Sequence, residues 1–222
     1  MKKVGDFWVP DVDMQWLRRL GKIRRKTIRR FRDQNGGDFR VIDEALERVG
    51  PGQTAVDGGA NVGAYTRRIA ARFAHTIAFE PAPDTHAALE QNLHDWALTD
   101  KVIAHPWALS NRDDLVSLGK RSSQRSVSRR IDGAGDIPAI RLDSLELDTL
   151  DFLKLDLEGH EYLALEGAQN TLTRCKPAIL FEDKPQKLRP ERLNPHTLLR
   201  SIGAECVACL GPKQFDWLYQ FP

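Results

Sequence analysis

The sequence predicts an α/β fold: a Rossmann-like, mostly parallel sheet with helices on both faces. From residue 39 onward, short apolar runs alternate with stretches of helical patterning, as expected of strands joined by crossover helices. The first run, residues 54–56, passes through Asp57-Gly-Gly-Ala-Asn-Val-Gly63 into a stretch with helical spacing. The next run, residues 76–79, ends in a second acid, Glu80. A glycine turn flanked by two strand-end acids belongs to a βαβ unit that binds its ligand at the carboxyl edge of the sheet.

In chain order, a basic segment comes first. Between Arg18 and Arg32 lie nine basic residues and no acid. Trp16, Leu20, Ile23, Thr27 and Phe31 recur at spacings of three and four, one stripe of an amphipathic helix. Asp33-Gln-Asn-Gly-Gly37 breaks that pattern, so residues 1–38 read as a basic helical appendage with its linker and 39–222 as the sheet domain. A helix over 39–49 leads through Gly50-Pro-Gly52 into the first strand. The helix opened by Gly63 carries Tyr65, Ile69 and Phe73 at helical spacing. Pro83 and Asp84 start a helix running to Leu98, and residues 102–105 form the third strand. A fourth strand (152–155), a helix (160–172), a fifth strand (178–181) and a helix (195–202) stopped by Gly203 follow. Residues 205–210 and 215–221 close the sheet around Gly211-Pro212. Residues 111–136, between the third and fourth strands, are polar and basic and read as a solvated loop over the cleft mouth. If extended, that stretch puts Arg121, Arg125 and Arg129 on one face.

A chain of 222 residues with 41% hydrophobic content can bury one sizeable core. No apolar run approaches the roughly 18–20 residues of a membrane span, and a signal-peptide core is missing from the start, so a cytoplasmic protein is expected. Three cysteines cannot build a disulfide framework, and Cys206-x-x-Cys209 has no second pair to complete a zinc site. Residues three apart on a strand are expected on opposite faces, which would keep those two sulfurs apart.

The glycine turn predicts a ligand. Small residues between strand and helix let backbone N–H groups approach it closely. Ala60 breaks the G-x-G-x-x-G pattern of dinucleotide binders. Acids at both strand ends suit a nucleoside that carries an ammonium group: S-adenosylmethionine, with its amino-acid end near Asp57 and its ribose on Glu80. Gly58, Gly59, Ala60, Asn61, Gly63 and Pro81 complete that side of the expected cofactor site.

Further motifs follow in order: Phe79-Glu-Pro81, Ala108-Leu-Ser110, Leu142-Asp-Ser-Leu145, Lys154-Leu-Asp-Leu-Glu-Gly159, then Glu161 and Leu165-Glu-Gly-Ala168. With Asp57–Gly63 they resemble FkbM-family methyltransferases, class I enzymes dependent on S-adenosylmethionine. The resemblance covers roughly residues 39–183. It implies seven strands with the last antiparallel, the adenine beside Trp107 and Ala108, and O-methylation of a small-molecule or sugar-type acceptor.

Methyl transfer to a hydroxyl is an in-line displacement, so the enzyme must position the acceptor and remove its proton. Asp156, Glu158 and His160, in the turn after the fourth strand, are the candidate catalytic residues, with Asp156 also facing the cofactor. Asp156 with Glu182 and Asp183 would form an oxygen-only set suited to a divalent metal, although metal-free catalysis is the reading preferred here. An alternative function is RNA 2′-O-methylation, with Asp156, Lys184 and Glu205 completed by Lys22 or Lys26 and the basic helix holding phosphates. A third class is a non-catalytic binding module, which the intact acids argue against. The basic helix and the arginine row suit an anionic acceptor.

Overall fold

The computed structural model describes residues 1–4, 6–11, 39–119, 131–184, 194–211 and 214–222. The helix expected over 16–32, its linker, and Arg121, Arg125 and Arg129 lie outside these residues. The chain opens with a hairpin that the sequence reading does not foresee, β1 (Lys2–Val4) and β2 (Phe7–Val9). There follow α1 (Arg40–Val49), β3 (Gly52–Gly58), α2 (Ala64–Ala70), β4 (Phe73–Phe79), α3 (Pro83–Asp95) and β5 (Val102–His105). Next come β6 (Ala108–Leu109), β7 (Asp114–Leu118), β8 (Ile131–Ile140), a short 3-10 turn and β9 (Phe152–Leu155). The chain closes with α4 (Glu161–Glu166), α5 (Gln169–Cys175), β10 (Ala178–Glu182), α6 (Pro195–Ser201), β11 (Glu205–Leu210) and β12 (Asp216–Gln220). Among the described residues no helix is long and apolar enough to cross a membrane.

Local chemistry fixes the helix ends. Proline at the first position and Asp84 in the first turn start α3. The Asn194 side chain accepts from His196 N (2.9 Å) and so caps α6. The N-terminal hairpin docks on α3 through Asn92, whose side chain accepts from Trp8 N (2.6 Å) and donates to Trp8 O (2.9 Å), while Phe7 and Val9 pack against Ala88.

The main sheet runs β11-β12-β10-β9-β3-β4-β5. The pairs from β10 across to β5 are parallel, and β12 is antiparallel to both its neighbours, as the family resemblance implies. The chain steps outward from β3 to β4 and β5, then returns to the other side of β3 as β9. That reversal opens a crevice beyond the carboxyl ends of β3 and β9. Side chains alternate across the sheet: Ala55 and Phe152 join the core under α1 and α2, while Val56, Leu153 and Leu155 join the core under α4, α5 and α6.

Four expectations change. Phe73 does not continue α2 but begins β4, where its ring stacks on Phe152 at 5.8 Å. The single helix expected over 160–172 breaks at Gly167, where a Cβ would lie 2.0 Å from Ser110 O, so the chain there presses on the strand side rather than coiling on. Residues 111–136 are not simply a loop: β7 and β8 pair antiparallel and, with β6, form a three-stranded sheet. Their signal is weak because Gly133 and Gly135 interrupt the alternation, and the register shifts opposite Val116. Lastly, β11 has a register shift between Cys206 and Ala208, which sets Cys206 opposite Tyr219 and Cys209 opposite Trp217. The extra residue reverses the alternation, so the two cysteines share a face, and both are free thiols.

Candidate active site

An open cleft occupies the crevice. Gly59 and Asn61 line it from the glycine turn, Glu80-Pro81-Ala82 from the end of β4, Trp107-Ala108-Leu109 from the β5 side, and Asp156-Leu157-Glu158 from the end of β9. Leu118 of β7 reaches one wall, so the small sheet does stand at the cleft mouth.

The turn is held by its own backbone. Gly59, Asn61 and Gly63 have φ of +73°, +54° and +88°. A Cβ on Gly59 would sit 2.0 Å from Asp156 O, so the turn and the end of β9 touch there and only glycine fits. The N–H groups, expected to be open to ligand, are already used. Gly59 N and Ala60 N both donate to Phe79 O (2.9 Å each), and Asn61 N donates to Glu80 Oε2 (2.9 Å). The turn therefore clamps the end of β4 and aims Glu80. Ala60 itself is core, and Gly58 is wedged against Leu155 and Leu109.

Glu80 is 8% exposed, and its other oxygen accepts from Ala82 N (3.0 Å). Burial pushes its carboxyl up to about 7, against the two N–H donors that favour the ionised form. Asp57 behaves differently. It sits on the same strand face as Ala55, beneath α2, fully buried and off the cleft lining. It accepts from Thr66 Oγ1 (2.7 Å) and pairs with Lys154 Nζ (2.9 Å). Asp57, expected near the cofactor's amino-acid end, thus lies behind the glycine turn rather than on the cleft surface. Trp107 stacks on His105 (centroids 4.2 Å apart), which stacks on Phe79 (5.5 Å), making a ladder of rings along one wall.

At the other end, Asp156, Glu158 and Glu182 bring one oxygen each to within 4.8 Å of one another. The Lys184 ammonium contacts Glu182 and lies 3.5 Å from Glu158. Burial and the nearby Asp156 charge push Glu182 up to about 7. Asp156 Oδ1 is buried and has no hydrogen-bond partner among the described residues. Buried Glu161 holds the turn, its Oε1 accepting from Leu157 N (2.8 Å) and Gly159 N (3.1 Å).

Three expected members fall elsewhere. Asp183, next to Glu182, turns away and its Oδ2 lies 3.2 Å from His196 Nε2, so Glu158 takes its place in the acid cluster. His160 is not among the cleft-lining residues. Its Nε2 lies 3.0 Å from Ser110 Oγ, and burial, with Arg112 nearby, lowers its pKa to about 4, which leaves it neutral. Glu205 begins β11 opposite Gln220, at the amino edge of the sheet, whereas Asp156 and Lys184 follow strands at the carboxyl edge. An Asp156–Lys184–Glu205 set is not assembled.

The family model of the methyltransferase FkbM domain matches residues 57–202. This chain belongs to the FkbM methyltransferase family. It is 30% identical over 151 residues to the hexuronic acid methyltransferase AglP of Haloferax volcanii, a stretch covering 65% of this chain and 62% of that protein. The alignment thus spans less than two thirds of that relative. The crystal structure of methyltransferase FkbM from Methylobacillus flagellatus KT aligns over 77% of this chain and 44% of that one, with a TM-score of 0.57 at 19% identity. A methyltransferase from Geobacter sulfurreducens aligns over 97% and 92%, with a TM-score of 0.52 at 15% identity. These structures share the fold. Family membership implies S-adenosylmethionine as the methyl donor.

In this FkbM-family chain the motif Lys154-Leu-Asp-Leu-Glu-Gly159 spans the switch point, yet sequence reasoning assigned no role to Lys154. A cation is out of place in a central strand that is otherwise apolar (Phe152, Leu153, Leu155), and that anomaly was the available signal.

Proposed function

We propose that this chain transfers a methyl group from S-adenosylmethionine to a hydroxyl of a sugar-type acceptor. The observation that carries the reading is the acid group at the end of β9: Asp156 and Glu158 line the cleft, and each brings an oxygen within 4.8 Å of Glu182, whose carboxyl is pushed up to about 7. A carboxylate set of this kind beside a cofactor cleft can orient a hydroxyl and take its proton. The cleft also fits a nucleoside sulfonium: Glu80 offers lone pairs to ribose hydroxyls, the ring ladder and Pro81 give a flat wall for a base, and Asp156 places negative charge toward the sulfonium end.

When bound, S-adenosylmethionine supplies an electrophilic methyl group. Asp156 orients the acceptor oxygen for in-line attack and draws off its proton as the new C–O bond forms. Glu182, raised to about 7 by burial and the adjacent Asp156 charge, can take that proton onward at neutral pH. Lys184 already supplies positive charge to Glu158 and Glu182, which supports the metal-free version; a strong chelator that leaves turnover intact is the expected result.

The choice of a sugar-type acceptor is supported by the name of the Haloferax volcanii relative. Transfer of labelled methyl from S-adenosylmethionine to hexuronic acid glycosides, neutral glycosides and short RNAs tests it. Labelled product is expected from the glycosides. Product from RNA alone would overturn the acceptor class.

A further inference from the structure

Lys154 stands in the interior of β9 with 4% of its surface exposed. Its Nζ donates to Gly59 O (3.0 Å) and Gly58 O (3.2 Å) and forms a 2.9 Å ion pair with Asp57 Oδ1. The Tyr65 ring lies 5.5 Å from it. Every one of these partners belongs to β3, the glycine turn or α2. Burying an ammonium costs several kcal/mol unless close partners offset it. Here burial pulls the lysine pKa down, but Asp57, Asp156 and Glu80 together hold it above the ordinary value. The ammonium sits behind the turn that shapes the cleft, within electrostatic reach of two carboxylates that line it, Glu80 and Asp156.

We infer that Lys154 is a positioning residue for cofactor binding: it fixes the carbonyls of Gly58 and Gly59 and sets a positive charge behind the turn that holds Glu80 in the cleft. The inference rests on reading the cleft as the S-adenosylmethionine site. Titratable groups on the elements around Glu80 include Asp57 on β3, Lys154 on β9 with Asp156 just after it, His105 on β5, and Asp84, His86, Glu90, His94 and Asp95 on α3. Of these, Lys154 favours the ionised form of Glu80 and Asp57 opposes it. The two neighbours should therefore move Glu80 in opposite directions when they are neutralised.

The test is S-adenosylmethionine affinity by calorimetry from pH 5.5 to 8.5 on the full chain and two variants. In Lys154→Met the pH at which affinity is half developed should rise by about one unit. In Asp57→Asn it should fall. Structural damage alone would weaken affinity in both without opposite displacements. If Lys154→Met fails to fold, Lys154→Gln, which keeps a donor for the Gly58 and Gly59 carbonyls but not the charge, decides: an upward displacement supports the role and an unmoved midpoint overturns it. An unmoved midpoint in folded Lys154→Met overturns it as well. A full chain that binds no S-adenosylmethionine at any pH overturns the cofactor-site reading, and this inference with it.

Discussion

Glu80 links folding and binding through one proton. Its carboxyl titrates near 4.5 when unfolded and near 7 in the fold. Between those values the folded state keeps a proton that the unfolded chain releases, so stability falls as pH rises through the window and levels off above about 7. Below about 4.5 both states are protonated and the contribution vanishes. A shift of this size is worth on the order of 3 kcal/mol. Cofactor affinity should run the other way, rising through the same window, because the ionised carboxylate is the better acceptor of ribose hydroxyls. Glu80→Gln should flatten the affinity profile and raise the melting temperature at pH 8. Affinity independent of pH in the unmodified protein would refute this linkage. Glu80 and Asp156 were legible as strand-end acids, but Asp57, identical in pattern, faces the core under α2. Spacing along a strand shows that an acid ends it; which face it takes depends on register against its neighbours.

At the scale of elements, glycines separate conformational cost from steric cost. Gly203 has φ +89° with open space around its Cβ position, so Gly203→Ala should cost only about 1 kcal/mol. Gly59 combines φ +73° with a Cβ position 2.0 Å from Asp156 O, and Gly59→Ala should cost roughly 3 kcal/mol or more and weaken cofactor binding too. Urea denaturation of both variants checks the ranking, and equal costs would contradict the close contact between the turn and β9. The strands and helices of the sheet domain were readable because buried parallel strands are continuous apolar runs. The β7–β8 pair was not, since Asp114, Leu115 and residues 134–136 are exposed and its glycines blur the alternation. The break between α4 and α5 was hidden for another reason: a glycine inside a helical pattern does not reveal the Ser110 carbonyl that presses on it.

For the molecule as a whole, local patterning supplied the order of elements but not their arrangement in space. The antiparallel β12 came only from the family resemblance, and the same arrangement carries Glu205 to the sheet's amino edge, away from the acids it was grouped with. The switch point between β3 and β9 brings Glu80 and Asp156 to one cleft although they are distant in sequence, and the proposed function depends on that convergence. Asp156→Asn tests it most directly, with turnover on a glycoside acceptor, S-adenosylmethionine affinity and melting temperature measured on the same preparation. Turnover should drop by roughly two orders of magnitude or more, far beyond any loss of affinity, while melting stays close to that of the unmodified protein. Near-normal turnover in a variant that folds and binds cofactor normally would contradict the assignment of Asp156 to the chemical step.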